Sequence, residues 1–303
     1  MFRKTSIFNS LALALLVLLC HRWLAAIPDR QDHPDALTTV RFTPAGFDPA
    51  RFAPLRLAGV WTVEVADPRF GGVSALAIDR DRLVALSDSG TVIRFPRPGA
   101  SGMAFVHDLP EGPGSAGFKS NRDSEAMARD PAGRGWWIAF ENWDQLWLYD
   151  GGFRKTLRRI DLSGEGWKAN RGVEALVADA DGMIVFPERG GEWLRLRRGR
   201  IDRYRIENRY GFIADAARAP DGRLLLVARK IGLAGLAKRL VAANEGRSGV
   251  LDLRSLARLN LGVTDNVEAI AAEPRPRGTR LWLMTDNDFR PRAPTYLVAL
   301  DMP

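Results

Sequence analysis

Gly172-Val173-Glu174-Ala175-Leu176-Val177-Ala178-Asp179 is a short apolar run that opens with a carboxylate and ends at a turn. Four other stretches repeat this pattern: Gly72-Val73-Ser74-Ala75-Leu76-Ala77, Ser124-Glu125-Ala126-Met127-Ala128, Ile213-Ala214-Asp215-Ala216-Ala217 and Asn266-Val267-Glu268-Ala269-Ile270-Ala271. Ser74 and Asp215 stand where the other copies have Glu. A unit that returns about every 50 residues indicates a repeat architecture, and the repeat decides the fold.

Each unit contains more than this marker strand. In the third unit the marker leads to a turn at 179–182, and three β-type segments follow: Met183 to Phe186, Trp193 to Leu196 and Tyr204 to Ile206. Apolar residues at period two, bounded by turn residues, are typical of strands. Four strands in about 50 residues are the size of one propeller blade. We therefore predict an all-β protein with a β-propeller fold.

The number of units predicts five blades, and a sixth blade inside the irregular fourth unit is also compatible with the sequence. That unit departs from the pattern because Ile231 to Asn244 has Ala and Leu at helical spacing, which predicts a short inserted helix. The last unit ends one strand short, after Tyr296 to Leu300. We expect Leu55 to Val65 to supply the missing outer strand, because closure by the other terminus leaves no free edge. The propeller is predicted as one domain, 55–303.

The first 26 residues have the pattern of a secretory signal peptide. Arg3 and Lys4 precede an apolar run from Leu11 to Leu19, and a pair of alanines follows. This run is short for a transmembrane helix, which needs about 20 residues. We expect a periplasmic or secreted protein in which 27–54 form an extended lead-in. An uncleaved N-terminal membrane anchor and a lipid on Cys20 are the alternatives.

The composition excludes several kinds of site. Cys20 is the only cysteine, so the domain has no internal disulfide. The three histidines are His21, His33 and His107, which argues against zinc sites built from several His and Cys ligands. The net charge of +8 comes mainly from Arg, which suits phosphates or anionic surfaces. No basic run with interleaved aromatics indicates nucleic acid binding, and we expect a monomer.

Acidic residues recur where a propeller would bring them together. In a blade, the innermost strand begins and the second strand ends beside the same end of the central channel. The sequence places these acids at such points: Asp123, Glu125, Glu174, Asp215 and Glu268 at strand starts, and Asp88, Glu141, Glu188, Asp286 and Asp288 at strand ends. We predict a ring of acidic side chains around one mouth of the channel.

Neighbouring carboxylates raise one another's pKa unless cations compensate them. A hard divalent cation such as calcium binds carboxylate and amide oxygens, so the predicted metal ligands are Asp88, Asp123, Glu141, Glu188, Asp286 and Asp288. Basic residues of the same loops are the other source of compensation, and Arg189, Arg229 and Lys230 are predicted to bind an anionic substrate. The alternative is that these acidic and basic side chains only form salt bridges and cap turns. Trp136, Trp137, Trp143 and Trp147 are expected to pack inside the blades.

At these motifs the chain resembles the phytase-like family of bacterial exported proteins, also labelled esterase-like activity of phytase. The resemblance covers about Gly71 to Asp301 and is carried by these residues: Asp123-Ser124-Glu125-Ala126, Glu141-Asn142, Gly172-Val173-Glu174-Ala175, Asn266-Val267-Glu268-Ala269-Ile270 and Asp286-Asn287-Asp288. It implies a β-propeller with a carboxylate-lined face. It also implies kinship with calcium-dependent propeller phytases, in which metal ions bind phosphate groups over the acidic mouth. Ser74 and Asp215 depart from the repeated Glu.

The function expected from these features is metal-dependent hydrolysis of a phosphate or other ester, with a small anionic or ester substrate. Glu125, Glu174 and Glu268 are the predicted catalytic residues, and the expected cofactor is calcium or another divalent metal. A non-catalytic propeller of the cell envelope that binds a ligand or a protein is one alternative. A calcium-dependent hydrolase of the lactonase type is another. The fold alone does not choose among them.

Overall fold

The computed structural model describes residue 30 and the ranges 33–167, 172–180, 182–188, 191–207, 209–232, 235–246, 248–259, 261–262, 266–290 and 292–303. The predicted signal peptide or anchor, 1–26, and the predicted substrate ligand Arg189 lie outside these residues. Within the described part, no helix has the length and apolar character to cross a membrane.

The described secondary structure is strand, with four short 3₁₀ turns at Pro49–Phe52, Lys119–Asn121, Glu141–Trp143 and Ser163–Glu165. The strands are β1 (Ala36–Thr38), β2 (Val40–Pro44), β3 (Arg56–Val65), β4 (Val73–Asp79), β5 (Arg82–Ser87), β6 (Thr91–Pro96), β7 (Ala104–Asp108), β8 (Ser124–Arg129), β9 (Gly135–Phe140), β10 (Gln145–Asp150), β11 (Thr156–Asp161), β12 (Val173–Asp179), β13 (Gly182–Pro187), β14 (Glu192–Arg197), β15 (Arg200–Glu207), β16 (Phe212–Arg218), β17 (Leu224–Gly232), β18 (Gly235–Glu245), β19 (Leu251–Arg258), β20 (Asn266–Pro274), β21 (Thr279–Asp286) and β22 (Thr295–Met302).

These strands form five antiparallel blades in the described residues, as the repeat predicts. Blades 1 to 4 are β4–β7, β8–β11, β12–β15 and β16–β19, and blade 5 is built on β20–β22. The innermost strands contact one another in chain order, from β4 through β8, β12 and β16 to β20, and β20 contacts β4. This closed ring confirms the propeller. The outermost strands of blades 3 and 4 also pair briefly in parallel, at Ile206 with Leu251.

The N-terminal strand closes the ring as predicted. β3 pairs antiparallel with β22 and becomes the fourth strand of blade 5. The lead-in before it is extended but is also part of the sheets, because β2 pairs with β3 and β1 pairs with β7 of blade 1. A single residue, Thr39, separates β1 from β2. The lead-in therefore ties the last blade to the first.

The helix predicted over Ile231 to Asn244 is wrong. β17 and β18 form a long antiparallel hairpin whose last ladder pair is Gly232 with Gly235. Leu240, Val241, Ala242 and Ala243 are all buried, because both faces of this blade pack against neighbours. A strand buried on both faces shows an unbroken apolar run instead of alternation. The sequence pattern of that run is therefore easily mistaken for a helix.

Candidate functional site

The repeated marker is a β-bulge on the innermost strand of every blade. The ladder to the second strand skips one residue at each marker: Ser74 in β4, Glu125 in β8, Glu174 in β12, Ala214 in β16 and Glu268 in β20. A bulge adds one unpaired residue and redirects its side chain. The side chains of Glu125, Glu174 and Glu268 therefore depart from the regular alternation of their strands, at equivalent points around the channel.

The prediction that Asp215 belongs to this ring is wrong. The bulged residue of blade 4 is Ala214, and Asp215 follows it, paired with Val227. The Asp215 carboxylate is buried and accepts the backbone N–H groups of Ala216 at 2.8 Å and Ile270 at 2.7 Å. Burial raises its pKa well above the usual range. Asp215 thus connects β16 to β20 instead of lining the mouth.

A second ring of residues lies on or directly after the second strands, one residue after the ladder partner of the residue that precedes each bulge, and these residues define the mouth of the channel. Its members are Asp88, Glu141, Glu188, Arg229 and Asp286, one from each blade. The backbone N–H groups of Asp88 and Glu188 donate to the carbonyls of Gly72 and Gly172 at 2.7 and 3.0 Å. These bonds fix the strand end beside the start of the innermost strand. Blade 4 therefore carries a cation, Arg229, where the other four blades carry an acid.

Two overlapping groups of carboxylates form at blades 2 and 3. Asp123, Glu125 and Glu141 each place one carboxylate oxygen within 4.8 Å of the other two, and so do Glu141, Glu174 and Glu188. Glu141 belongs to both groups. Glu174 is buried, and the others are partly exposed. The structure thus combines the predicted catalytic Glu125 and Glu174 with three of the predicted metal ligands.

Burial and mutual repulsion change the pKa values of this cluster. Burial raises the pKa of Glu141 to about 7, and Asp123 and Glu188 contribute to the rise. The pKa of Glu125 is raised well above its usual range by burial and then by Glu174. Burial also raises the pKa of Glu174 well above its usual range, and this rise outweighs the opposite effect of the nearby Arg229. The ionised cluster is therefore short of positive charge, which a bound cation would supply.

Arg229 compensates the other side of the mouth. Its guanidinium makes a close ion pair with Glu268 and lies 3.8 Å from Glu174. The Asn266 side chain also donates to Glu268. Burial nevertheless outweighs these partners and raises the pKa of Glu268. The predicted catalytic Glu268 is therefore held by an ion pair and stands outside the two carboxylate groups.

Lys119 is a site residue that sequence reasoning missed. Its ammonium lies 3.0 Å from Asp88 and 3.4 Å from Asp123. Lys119 lies on the 3₁₀ turn in the connection between blades 1 and 2. Its position four residues before Asp123 is the one sequence feature that could have indicated this ion pair. The other oxygen of Asp88, Oδ1, is buried with no hydrogen-bond partner in the described residues. A buried acceptor without a partner is costly in a folded protein.

Asp286 ends β21, Asp288 lies on the loop that follows, and neither joins the two carboxylate groups found in the described residues. The Asp288 N–H donates to Asp286 Oδ1 at 2.8 Å, and Arg290 pairs with Asp288 at 2.6 Å. Burial raises the pKa of Asp286 to about 7, with a contribution from Asp288. Asn287 Oδ1 accepts the N–H of Gly72 at 3.3 Å, so this loop joins blade 5 to blade 1.

Two aromatic side chains and Lys230 complete the surroundings of the mouth. Trp143 is 40% exposed and donates to Asn121, so its expected packing role is wrong, whereas Trp136 and Trp137 are buried. Phe289, which the sequence did not single out, is 37% exposed. Lys230 is exposed on the β17–β18 hairpin, one residue beyond Arg229.

Comparisons with known proteins give one family and several similar structures. A family model described as phytase-like, with esterase-like activity of phytase, matches residues 68–289. The sequence matches no curated protein. Glutaminyl cyclase from Myxococcus xanthus is similar with a TM-score of 0.52 and 11% identity, over 87% of this chain and 98% of that chain. Two further similar structures have lower TM-scores. Virginiamycin B lyase from Staphylococcus aureus gives 0.46 with 11% identity, over 87% of this chain and 100% of that one. Hydrazine synthase from Kuenenia stuttgartiensis gives 0.41 with 14% identity, over 74% of this chain and 59% of that one.

Proposed function

Because the chain belongs to the phytase-like family, we propose that it is a divalent-cation-dependent hydrolase that cleaves a phosphate or another ester at the acidic mouth. The observation that carries this function is the pair of carboxylate groups that share Glu141. The remaining support comes from the donor atoms, the proton affinities and the cationic side chains around them.

The donor set suits calcium. Both groups offer only carboxylate oxygens, which are the hard ligands that calcium takes in sets of about six to eight with carbonyls and water. Asp88 Oδ1, buried without a hydrogen-bond partner in the described residues, is a further oxygen at the same mouth. Zinc suits this set less well, since it favours His and Cys ligands and His107 bonds to Asp35 and the Phe153 carbonyl elsewhere.

The carboxyl groups supply the proton chemistry. A bound divalent cation would polarise an ester oxygen and lower the pKa of a water. Glu141, whose pKa is about 7 without a cation, can accept a proton from an attacking water through a carboxylate oxygen that does not bind the cation. Burial also raises the pKa values of Glu125 and Glu174 well above the usual range, so either carboxyl, when it does not bind the cation, can donate a proton to the leaving group.

Cationic side chains beside the carboxylates would hold an anionic substrate. Arg229 keeps 22% of its side chain exposed while it pairs with Glu268, and a guanidinium binds phosphate oxygens in a bidentate way. Lys119 and the exposed Lys230 lie on either side of the ring. Arg189, outside the described residues, follows directly after Glu188 in the chain and completes the proposed set.

We also propose that the protein works as a monomer in the periplasm or the medium, released or held by its N-terminus. The support is the charged start, apolar run and small-residue exit of 1–26. Fractionation of cells that express the full chain tests this. Recovery in the cytoplasm with an intact N-terminus would contradict it.

Turnover of a substrate panel tests the hydrolase. The panel contains p-nitrophenyl phosphate, bis-p-nitrophenyl phosphate, p-nitrophenyl acetate and a sugar lactone, each assayed with calcium and with EDTA. We expect calcium-dependent turnover of a phosphate or carboxylic ester that is lost in Glu125→Gln and Glu268→Gln. Glu64→Gln is the matched control, because Glu64 is 67% exposed beside Arg41. Turnover of the lactone alone would favour a lactonase. Stabilisation by a ligand without any turnover would favour a binding protein.

A further inference from the structure

A groove between blades 2 and 3 lies at the end of the strands opposite the mouth, with a volume of about 600 Å³. Its walls are the turns that follow β8, β12 and β14, together with the outermost strand of blade 2, β11. Two of these turns follow the C-terminal ends of the innermost strands β8 and β12, at Arg129 and Asp179. The mouth lies beside the N-terminal ends of the same strands. The groove is therefore separate from the carboxylate cluster, and its size suits a small organic ligand.

The walls of this groove carry mostly positive charge. Six arginines line it, against two acids, Asp130 and Asp161: Arg134, Arg158, Arg159, Arg197, Arg198 and Arg200. Asp130 is already occupied by Arg134 at 2.8 Å and by the indole N–H of Trp137 at 2.9 Å. Arg197 and Arg200 share Asp202 only at 3.6 and 3.7 Å. The acidic residues of the groove wall therefore leave most of the positive charge of the arginines uncompensated.

Two of the arginines on the groove side make no ion pair among the described residues. Within the described part of the chain, no carboxylate lies within 4.0 Å of Arg158 or Arg198, and both are exposed. Arg159 is the residue after Arg158 on β11 and pairs with Trp147, so its side chain faces blade 1 instead of the groove. Arg198 is placed at the tip of the β14–β15 turn with a φ of 48°, a backbone conformation that favours Gly or Asn over Arg. Arg198 therefore places a long cationic side chain at a turn position whose backbone conformation favours Gly or Asn.

The floor of the groove is apolar. Trp137, Met183 and Leu196 lie at its base and are buried, and Ile201 at its rim is 38% exposed. A guanidinium grips the oxygens of a phosphoryl group in a bidentate way. An apolar floor under such a rim suits a ligand that combines an anionic head with an apolar body.

We propose that this groove binds a phosphate-bearing amphiphile, with Arg158 and Arg198 holding the phosphoryl group and the floor holding the apolar part. The binding is independent of the acidic mouth and needs no divalent cation. Repulsion among the unpaired guanidinium groups is relieved when an anion binds, and the head group is fixed at the end of the molecule farthest from the mouth.

Binding measurements with chelator-treated full-length protein test this, because EDTA removes any contribution from a cation at the mouth. Calorimetry with inorganic pyrophosphate and with hexyl phosphate reports the free phosphoryl group, and co-sedimentation with phosphatidylglycerol vesicles reports a lipid head group. Phosphatidylcholine vesicles are the blank. The test variant is Arg158→Gln/Arg198→Asn, in which Asn suits the φ of position 198.

The control variant is Arg205→Gln/Arg254→Gln, which removes the same charge from exposed arginines outside the groove. We expect at least one anionic probe to bind the wild type and the control alike at physiological salt, and to bind the groove variant about tenfold or more weakly. A preference for hexyl phosphate over pyrophosphate identifies a soluble ligand, and vesicle binding alone identifies a lipid. Binding of no probe, binding of pyrophosphate alone, or an equal loss in both double variants would overturn the proposal.

Discussion

Glu141→Gln should make the protein more stable without calcium and less responsive to calcium. Glu141 is the one residue shared by both carboxylate groups, and burial beside Asp123 and Glu188 raises its pKa from 4.5 to about 7. A raised carboxyl pKa means that the folded state holds a proton that the unfolded state has lost. Stability therefore falls as pH rises from about 4.5 to about 7, and the full loss is present above pH 7.

The size of this effect follows from the two pKa values. A rise from 4.5 to about 7 corresponds to about 3.4 kcal/mol at 1.36 kcal/mol for each pH unit. Solvent screens a carboxyl that is partly exposed, so we take about half, ~1.5 kcal/mol. Gln resembles the protonated acid and avoids this loss. For a chain of this size, Tm should rise by about 3–6 °C at pH 8.

Thermal melts at pH 8 and pH 5, each with EDTA and with calcium, measure both effects. In EDTA the gain of Glu141→Gln should be full at pH 8 and mostly absent at pH 5. Calcium should raise the Tm of the wild type at pH 8, and this rise should shrink by more than half in the variant, because both groups lose a ligand. Glu64→Gln should match the wild type throughout. A variant that is less stable than the wild type in EDTA at pH 8 would refute this reasoning.

Three other substitutions test the surroundings of the cluster. Arg229→Met leaves Glu268 without its buried partner and should cost about 3 kcal/mol in urea unfolding at pH 8. The cost should be smaller at pH 5, because burial raises the pKa of Glu268 and its uncharged form is favoured as pH falls; an equal loss at both pH values would contradict this. Lys119→Met removes the cation beside Asp88 and should cost only ~0.5–1 kcal/mol while it tightens calcium binding in calorimetry; weaker binding would show that Lys119 does not compete with the cation. Asp215→Ala leaves two buried N–H groups without an acceptor and should cost about 1–3 kcal/mol; an altered calcium response would show that Asp215 reaches the mouth.

The repeat predicted the propeller because it is periodic in both spacing and strand content. The marker strands, the second strands and the closing strand at Arg56–Val65 all occur in the structure. The site was predictable to the extent that its acids recur at equivalent points of a blade. Glu125, Glu141, Glu174 and Glu188 were found in this way, and the structure brings them together.

The rest depended on register and on long-range contacts, which a sequence does not display. Ala214, Ala216 and Ala217 surround Asp215, so the apolar pattern fits two registers and a shift of one residue reverses the side-chain direction. Lys119 reaches Asp88 across the connection between two blades, a contact that no local spacing reports. The position of Arg229 in the acidic ring becomes visible only when the five second strands are aligned by the bulge that each one faces, because β17 continues three residues beyond Arg229.

Calorimetric titration of calcium into the chelator-treated protein at pH 8 tests the central claim, that the acidic mouth binds a divalent cation. The wild type should show saturable binding that Glu174→Gln weakens strongly and Glu64→Gln leaves unchanged, because Glu174 lies in one carboxylate group and Glu64 lies on the outer strand β3. Absence of saturable heat from the wild type, or identical titrations of the wild type and Glu174→Gln, would contradict it.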